Sequence, residues 1–85
     1  MLDAKKCFEI YEYCQRQYDK LEKKEGRYSP KHDKTVLDMA SKEFKMSEND
    51  INRAFDLVSQ TNADKNMTHE KKERFIRKKL SMQFN

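Results

Sequence analysis

The sequence has very few of the residues that interrupt helices, since its 85 residues include one glycine and one proline. It also lacks any apolar run near the roughly 20 residues that a membrane-spanning helix needs. Hydrophobic residues make up 35% of the chain and charged residues 40%, a balance that by itself favours disorder. The scarcity of helix breakers and a clear helical periodicity favour folded helices instead. A chain of this length supports one small domain at most.

Cysteine is also scarce, and the two cysteines are badly spaced for chemistry. Cys7 and Cys14 are seven residues apart in one predicted helix, hence about 10.5 Å apart along its axis. A disulfide requires alpha carbons closer than about 7 Å, and the same separation prevents the pair from chelating one metal ion. We therefore predict two buried thiols that act as small hydrophobic residues, with no metal and no cofactor. Because no secretory signal precedes them, we expect a cytoplasmic protein.

The sequence lacks the features of catalytic sites as well. It has no glycine-rich phosphate loop, no serine nucleophile elbow and no carboxylate pair in an apolar stretch. Glu12, Glu43 and Glu73 each stand among charged neighbours, where carboxylates behave ordinarily. A four-helix chain of this size also has little room to enclose a substrate. The sequence therefore predicts that the protein is not an enzyme.

Apolar residues recur at three- and four-residue steps in four segments, which is the period of a buried helix face. We predict helices over residues 3–25, 30–44, 48–59 and 69–81, followed by a frayed tail over residues 82–85. The polar stretch between the third and fourth helices is predicted to be a loop. The predicted fold is all-α, a compact bundle of about four helices in a single domain.

Local signals mark the ends of these helices. Gly26 stands where the first helix should stop, because glycine readily takes the left-handed conformation of a helix C-terminus. Ser29 with Pro30 at the first helical position, Ser47 and Thr68 are predicted to start the other three. Such side chains accept hydrogen bonds from the first amides of a helix.

The segment from residue 36 to residue 58 has the spacing of two helices joined by a tight turn. Ser41 is a small residue where the helices would cross, and Ser47 caps the second helix. The apolar positions fall on the inner sides of both helices and on the turn: Ala40, Phe44, Met46, Ile51 and Ala54. This segment resembles the generic helix-turn-helix superfamily, in which the second helix can enter the major groove of DNA. The resemblance covers about a quarter of the chain and indicates no specific family.

One position departs from the pattern of that superfamily. The turn normally has glycine where this chain has Lys45, because the backbone there adopts a left-handed conformation. A lysine can take that conformation at a cost of roughly 1 kcal/mol. Lys45 therefore indicates either a strained turn of the usual length or a longer, different turn.

The resemblance and the charge distribution together suggest DNA as a partner. The outward side of the predicted third helix offers Asn49, Asn52 and Arg53, whose side chains can read base edges. Residues 61–85 hold seven basic and three acidic groups, which is the whole net excess of the chain. Charge asymmetry of this kind favours an anionic partner, although it is also typical of a solvated helix face.

The fourth helix would supply the phosphate contacts. Lys71, Arg74 and Lys78 line up on one side of it, and such contacts give salt-dependent affinity without reading sequence. Our leading hypothesis is a small, DNA-binding regulatory protein of the helix-turn-helix kind. The same basic helix could instead lie on an acidic protein surface.

A second hypothesis rests on the acidic residues of the third helix. Glu48, Asp50 and Asp56 outnumber Arg53 there, and phosphates would repel that surplus. The chain could then be a non-enzymatic adaptor or inhibitor, with the helix pair as scaffold. Either the acidic third helix or the aromatic side of the first helix would make the contact.

The aromatic side of the first helix would also suit a homodimer. Its members are Phe8, Tyr11, Tyr13 and Tyr18. Partial burial within the monomer is the other explanation of these residues. We expect no membrane binding, because the apolar residues of the basic fourth helix are needed for the core.

Overall fold

The computed structural model describes residues 2–82, and these residues form four helices with no strand among them. The helices are α1 (Ala4–Glu25), α2 (Lys31–Phe44), α3 (Glu48–Asn62) and α4 (His69–Met82). The predicted all-α bundle of four helices is confirmed. Met82 is the last residue of α4, and the rest of the predicted frayed tail, residues 83–85, lies outside the described residues. Within residues 2–82, no helix has the length and hydropathy needed to cross a membrane.

Helices α1 and α3 form the centre of the bundle, because each of them contacts all three of the other helices. The buried hydrophobic side chains come from all four helices and recur at the predicted three- and four-residue steps. They are Ala4, Cys7, Ile10, Cys14, Val36, Ala40, Ile51, Ala54, Leu57, Val58, Ile76 and Leu80.

Three of the helices begin with an N-cap side chain that accepts a hydrogen bond from a backbone amide of the first turn. Asp3, Ser47 and Thr68 each accept a hydrogen bond from the amide three residues further on, at 2.7, 3.2 and 3.2 Å. Such caps satisfy amides that have no partner inside the helix. Gly26 follows α1 with a left-handed backbone, at a φ of 79°. The start signals at Ser47 and Thr68 and the stop at Gly26 are therefore confirmed.

Four helix ends differ from the prediction. The start of α1 at Ala4 and the end of α4 at Met82 are each shifted by one residue, and the other two differences have structural reasons. Helix α2 begins at Lys31 and not at Pro30, which belongs to the preceding turn, although the Ser29 hydroxyl still accepts the Lys31 amide at 3.4 Å. Helix α3 continues to Asn62, three residues past its predicted end. The reason is Thr61, which is 1% exposed and donates its hydroxyl to the carbonyl three residues earlier. Burial of this threonine extends the inner face of α3 into a stretch that is polar in sequence.

Helices α2 and α3 are joined by three residues, 45–47, with a left-handed residue at the first position. Lys45 has a φ of 54° and a ψ of 46°. The Met46 amide donates to the Ser41 carbonyl at 3.1 Å, and the Ser41 hydroxyl donates to the Met46 carbonyl at 2.5 Å. The sequence allowed either a short turn with a left-handed Lys45 or a longer turn, and the structure has the short turn. The Ser41 hydroxyl is the side chain that closes it.

Substitution of Lys45 by glycine should stabilise the protein. Glycine removes the Cβ clash of a left-handed residue, which exceeds the extra backbone entropy of the unfolded chain. We expect the free energy of unfolding to rise by about 0.5–1 kcal/mol, measured by urea denaturation with circular dichroism.

Lys42→Gly is the matched control, because Lys42 is an exposed lysine inside α2 whose only ion pair within residues 2–82 is with Asp38, also exposed. Lys42 lies in the last turn of α2, where a right-handed glycine should still lower stability, by up to about 1 kcal/mol. The two substitutions should thus have opposite signs. Equal destabilisation by both would contradict a strained backbone at Lys45.

Candidate nucleic-acid interface

The outward side of α3 presents two of the three residues that were predicted to contact bases. Asn49 and Asn52 are exposed and lie about one turn apart, directly after the Ser47 cap. Arg53 is half-buried, and its Nε and one terminal nitrogen are covered. Base reading from this helix would therefore depend mainly on the two asparagines.

The same side of α3 carries negative charge. Glu48 and Asp56 are both exposed, and Asp56 accepts a hydrogen bond from the side-chain amide of Gln60 at 2.8 Å. The acids at the start of α3 are favourable for the helix itself, because they lie near the positive end of its dipole. They are unfavourable for phosphate. Any affinity for a polyanion must therefore come from another part of the molecule.

Helix α4 carries that positive charge. Lys71, Arg74 and Lys78, the residues predicted to contact phosphates, are all exposed on one side of the helix. Arg74 pairs with Glu70 at 3.1 Å, and both side chains are about three-quarters exposed. Exposed pairs one turn apart on a helix contribute only about 0.3–0.5 kcal/mol. A phosphate could therefore replace Glu70 at little cost.

One flank of α4 faces α3. The Lys72 ammonium donates to the Asn62 side-chain carbonyl at the end of α3, at 2.8 Å. Lys79 lies two turns along the same flank, with its ammonium 5.5 Å from the centroid of the Phe75 ring. The helical period turns Lys71, Arg74 and Lys78 about 100–160° away from this flank. The basic side of α4 therefore points away from the buried Ile76 and Leu80, and Lys72 is the basic residue of α4 that contacts α3.

The N-terminal half of α2 adds two cations that the sequence analysis did not consider. Lys31 and Lys34 are exposed and share a shallow depression with Glu48 at the start of α3. Lys34 also lies beside Asn52 along the cleft between the two helices. The three-residue spacing of these lysines on the outer side of α2 is visible in the sequence. Their closeness to α3 depends on the geometry of the turn between the helices, which the sequence alone does not predict.

The junction of α1 and α2 is held by a cluster of polar side chains. Asp33 accepts the Tyr18 hydroxyl at 2.6 Å and the Tyr28 hydroxyl at 2.7 Å. These hydrogen bonds lower the pKa of the Asp33 carboxyl below its usual value. Burial, together with the hydrogen bond to Asp33, raises the pKa of Tyr18. His32 is 3% exposed, accepts the Ser29 amide at Nδ1 at 3.2 Å, and bonds Glu25 through Nε2. These contacts fix the start of α2 on α1.

The predicted burial of both cysteines is confirmed. Cys7 and Cys14 are both buried and unpaired with each other. Burial raises the pKa of each thiol to about 11, so neither forms a thiolate readily at neutral pH. Within residues 2–82, no three side chains of metal-ligating type come together.

The aromatic side of α1 packs within the molecule. All four of its residues are half-buried, and each rests on another aromatic ring. The ring centroids are 4.7 Å apart for Phe8 and His69, 4.9 Å for Tyr11 and Phe55, 5.5 Å for Tyr13 and Phe44, and 6.2 Å for Tyr18 and Phe55. Partial burial in the monomer therefore accounts for these residues. Within residues 2–82, the large hydrophobic side chains that remain exposed are Tyr28 and Met82, at 47% and 57%.

Comparison of the chain with protein-family models, with curated proteins and with solved structures found no match in any of the three.

Removal of the Asp33 carboxylate should weaken the α1–α2 junction in a pH-dependent way. Because the folded pKa of Asp33 is lowered, its contribution is present above the unfolded pKa and is lost as pH falls through the folded pKa. We expect Asp33→Asn to cost about 1 kcal/mol of unfolding free energy at pH 7. The difference from the parent should shrink on acidification below the ordinary carboxyl range, measured by urea denaturation at several pH values.

Asp19→Asn is a suitable control, because Asp19 is an exposed carboxyl on α1. It should change stability by less than about 0.5 kcal/mol at pH 7. A pH-independent effect of Asp33→Asn would mean that the tyrosine hydrogen bonds do not favour the ionised carboxyl.

Proposed function

We propose that the protein is a small DNA-associated regulator, in which α2 and α3 act as a helix-turn-helix pair and α4 contacts phosphates. The observation that carries the proposal is the short turn at Lys45, which resembles the superfamily's turn in length and in its left-handed residue. The exposed Asn49 and Asn52 on the second helix of the pair support it further.

The charge distribution supports a division of roles between two helices. Helix α4 has six basic and two acidic residues, whereas α3 has one basic and three acidic ones. Lys71, Arg74 and Lys78 would supply affinity for the DNA backbone. The asparagines of α3 would then contact base edges, where hydrogen-bond donors and acceptors matter more than charge.

Salt dependence is the direct test of the phosphate contacts. Binding to random duplex DNA, followed by fluorescence anisotropy between about 50 and 200 mM salt, should weaken log-linearly. The triple variant Lys71→Gln, Arg74→Gln, Lys78→Gln should bind more weakly and reduce the salt slope by about 2–3. No binding at low salt would refute the proposed function.

The control is a second triple variant with the same loss of charge. Lys20, Lys23 and Lys24 are exposed near the end of α1, so Lys20→Gln, Lys23→Gln, Lys24→Gln tests net charge alone. This control should retain most of the parent's affinity and slope. Equal weakening by both triple variants would mean that DNA is attracted only by net charge.

Asp56 provides a test of whether α3 itself faces DNA. Its exposed carboxylate would repel phosphates if α3 entered a groove. We expect Asp56→Asn to raise affinity for duplex DNA by about 3-fold at low salt, the size of one exposed charge interaction. Asp19→Asn, on α1, should leave affinity unchanged.

A protein-interaction module is the second candidate function. The observation that favours it is the pair of exposed carboxylates, Glu48 and Asp56, on the surface of α3. A basic protein surface would suit these groups better than phosphate does. If Asp56→Asn leaves DNA affinity unchanged while the α4 triple variant abolishes it, α4 alone contacts DNA and α3 serves another partner.

A further inference from the structure

A groove of about 550 Å³ opens between α2 and α3, with α1 as its floor. The apolar part of the lining comes from Cys14 on α1, Val36 and Leu37 on α2, and Ile51 and Phe55 on α3. Its volume falls within the range of about 300–1,000 Å³ that is typical of small-molecule sites.

The aromatic part of the groove is well defined. The rings of Tyr18 and Phe55 both line it, and their centroids are 6.2 Å apart at an angle of 54°. Tyr18 is held in place by its hydrogen bond to Asp33. Rings in this arrangement offer faces and edges on which the aromatic body of a ligand can pack.

The rim of the groove carries more negative than positive charge. Asp33 and Glu48 contribute two carboxylates, and Lys34 contributes one ammonium group. This excess is opposite in sign to the net charge of the chain, which is +4. The charged side chains that line the groove therefore carry one more negative than positive charge, although Lys31 also approaches Glu48 beside it.

The Asp33 carboxylate can accept further hydrogen bonds from a ligand. Each of its carboxylate oxygens accepts one tyrosine hydroxyl, so its position is fixed. An ionised carboxylate has about four acceptor positions, of which the tyrosines use two. The remaining positions can accept hydrogen bonds from an ammonium group at the rim.

We propose that this groove binds a small organic cation, an ammonium group attached to an apolar, aromatic body. The body lies against Tyr18, Leu37 and Phe55, and the ammonium group lies at the rim between Asp33 and Glu48. The proposal does not rest on DNA binding, because none of its residues belongs to the phosphate-contacting side of α4.

Three probes of similar size and shape that differ in charge test this proposal directly. We would titrate the protein with 2-phenylethylammonium, with neutral 2-phenylethanol and with anionic 3-phenylpropanoate, and follow amide shifts by ¹H–¹⁵N NMR. Ligands of this size bind weakly, so concentrations up to about 10 mM are needed. The cation should bind at least about 3-fold more tightly than the alcohol, and the anion most weakly. The shifts should centre on Lys34, Glu48 and Phe55.

Three variants outside the core decide the role of the rim. Glu48→Gln should weaken binding of the cation by about 3-fold, and Lys34→Gln should strengthen it by about the same factor. Neither should change binding of the alcohol. Glu70→Gln is the control, because Glu70 is an exposed carboxylate on α4 that pairs with Arg74; it should have no effect. Melting curves establish that each variant is folded.

Several results would overturn the proposal. Equal affinities for the three probes would mean an apolar groove without charge selectivity. Shifts spread over the surface, or no saturable shift by about 10 mM, would mean that no such site exists. Each of these outcomes is independent of whether the protein binds DNA, since the titrations contain none.

Discussion

The packing of α1 against the other three helices is the constraint on which the rest of the structure depends. Ile10 is fully buried at its centre, and the neighbouring Ala4, Cys7 and Cys14 are small enough for close approach. Among the four described helices, α2 and α4 make no contact with each other. Their relative position is therefore set through α1 and α3. A chain this short has no second core to compensate for a defect there.

Polar contacts at the edges of this core determine how α2 and α3 are held. The Asp33 cluster fixes the start of α2 on α1, and the hydrogen bonds between Ser41 and Met46 fix its end against α3. The left-handed Lys45 is the strained residue between them. Both the exposure of Asn49 and Asn52 and the groove between the helices follow from these two attachments. The candidate surfaces are thus consequences of packing at the ends of α2.

The features set by neighbouring residues or by the helical period were predictable, whereas those set by which helix packs against which were not. The caps at Ser47 and Thr68 and the stop at Gly26 are local chemistry, so sequence was sufficient. The extension of α3 through Thr61 was missed, because a threonine in a polar stretch shows no sign of burial until α1 and α4 are in place. Arg53 was expected to be exposed on the outward side of α3. It is half-buried, because its exposure depends on which residues pack beside α3, and the helical period of α3 alone does not predict them.

The position of Glu48 links the two proposals. Its carboxylate lies at the rim of the groove and on the side of α3 that would approach DNA, where it repels phosphate. A cation bound at the rim would neutralise that repulsion, so binding of the cation and binding of DNA would favour each other. Such coupling is reciprocal by thermodynamic necessity, and its size is limited by one exposed charge interaction, about 0.2–1 kcal/mol. The groove would therefore adjust DNA affinity by a few-fold and would not switch it on or off.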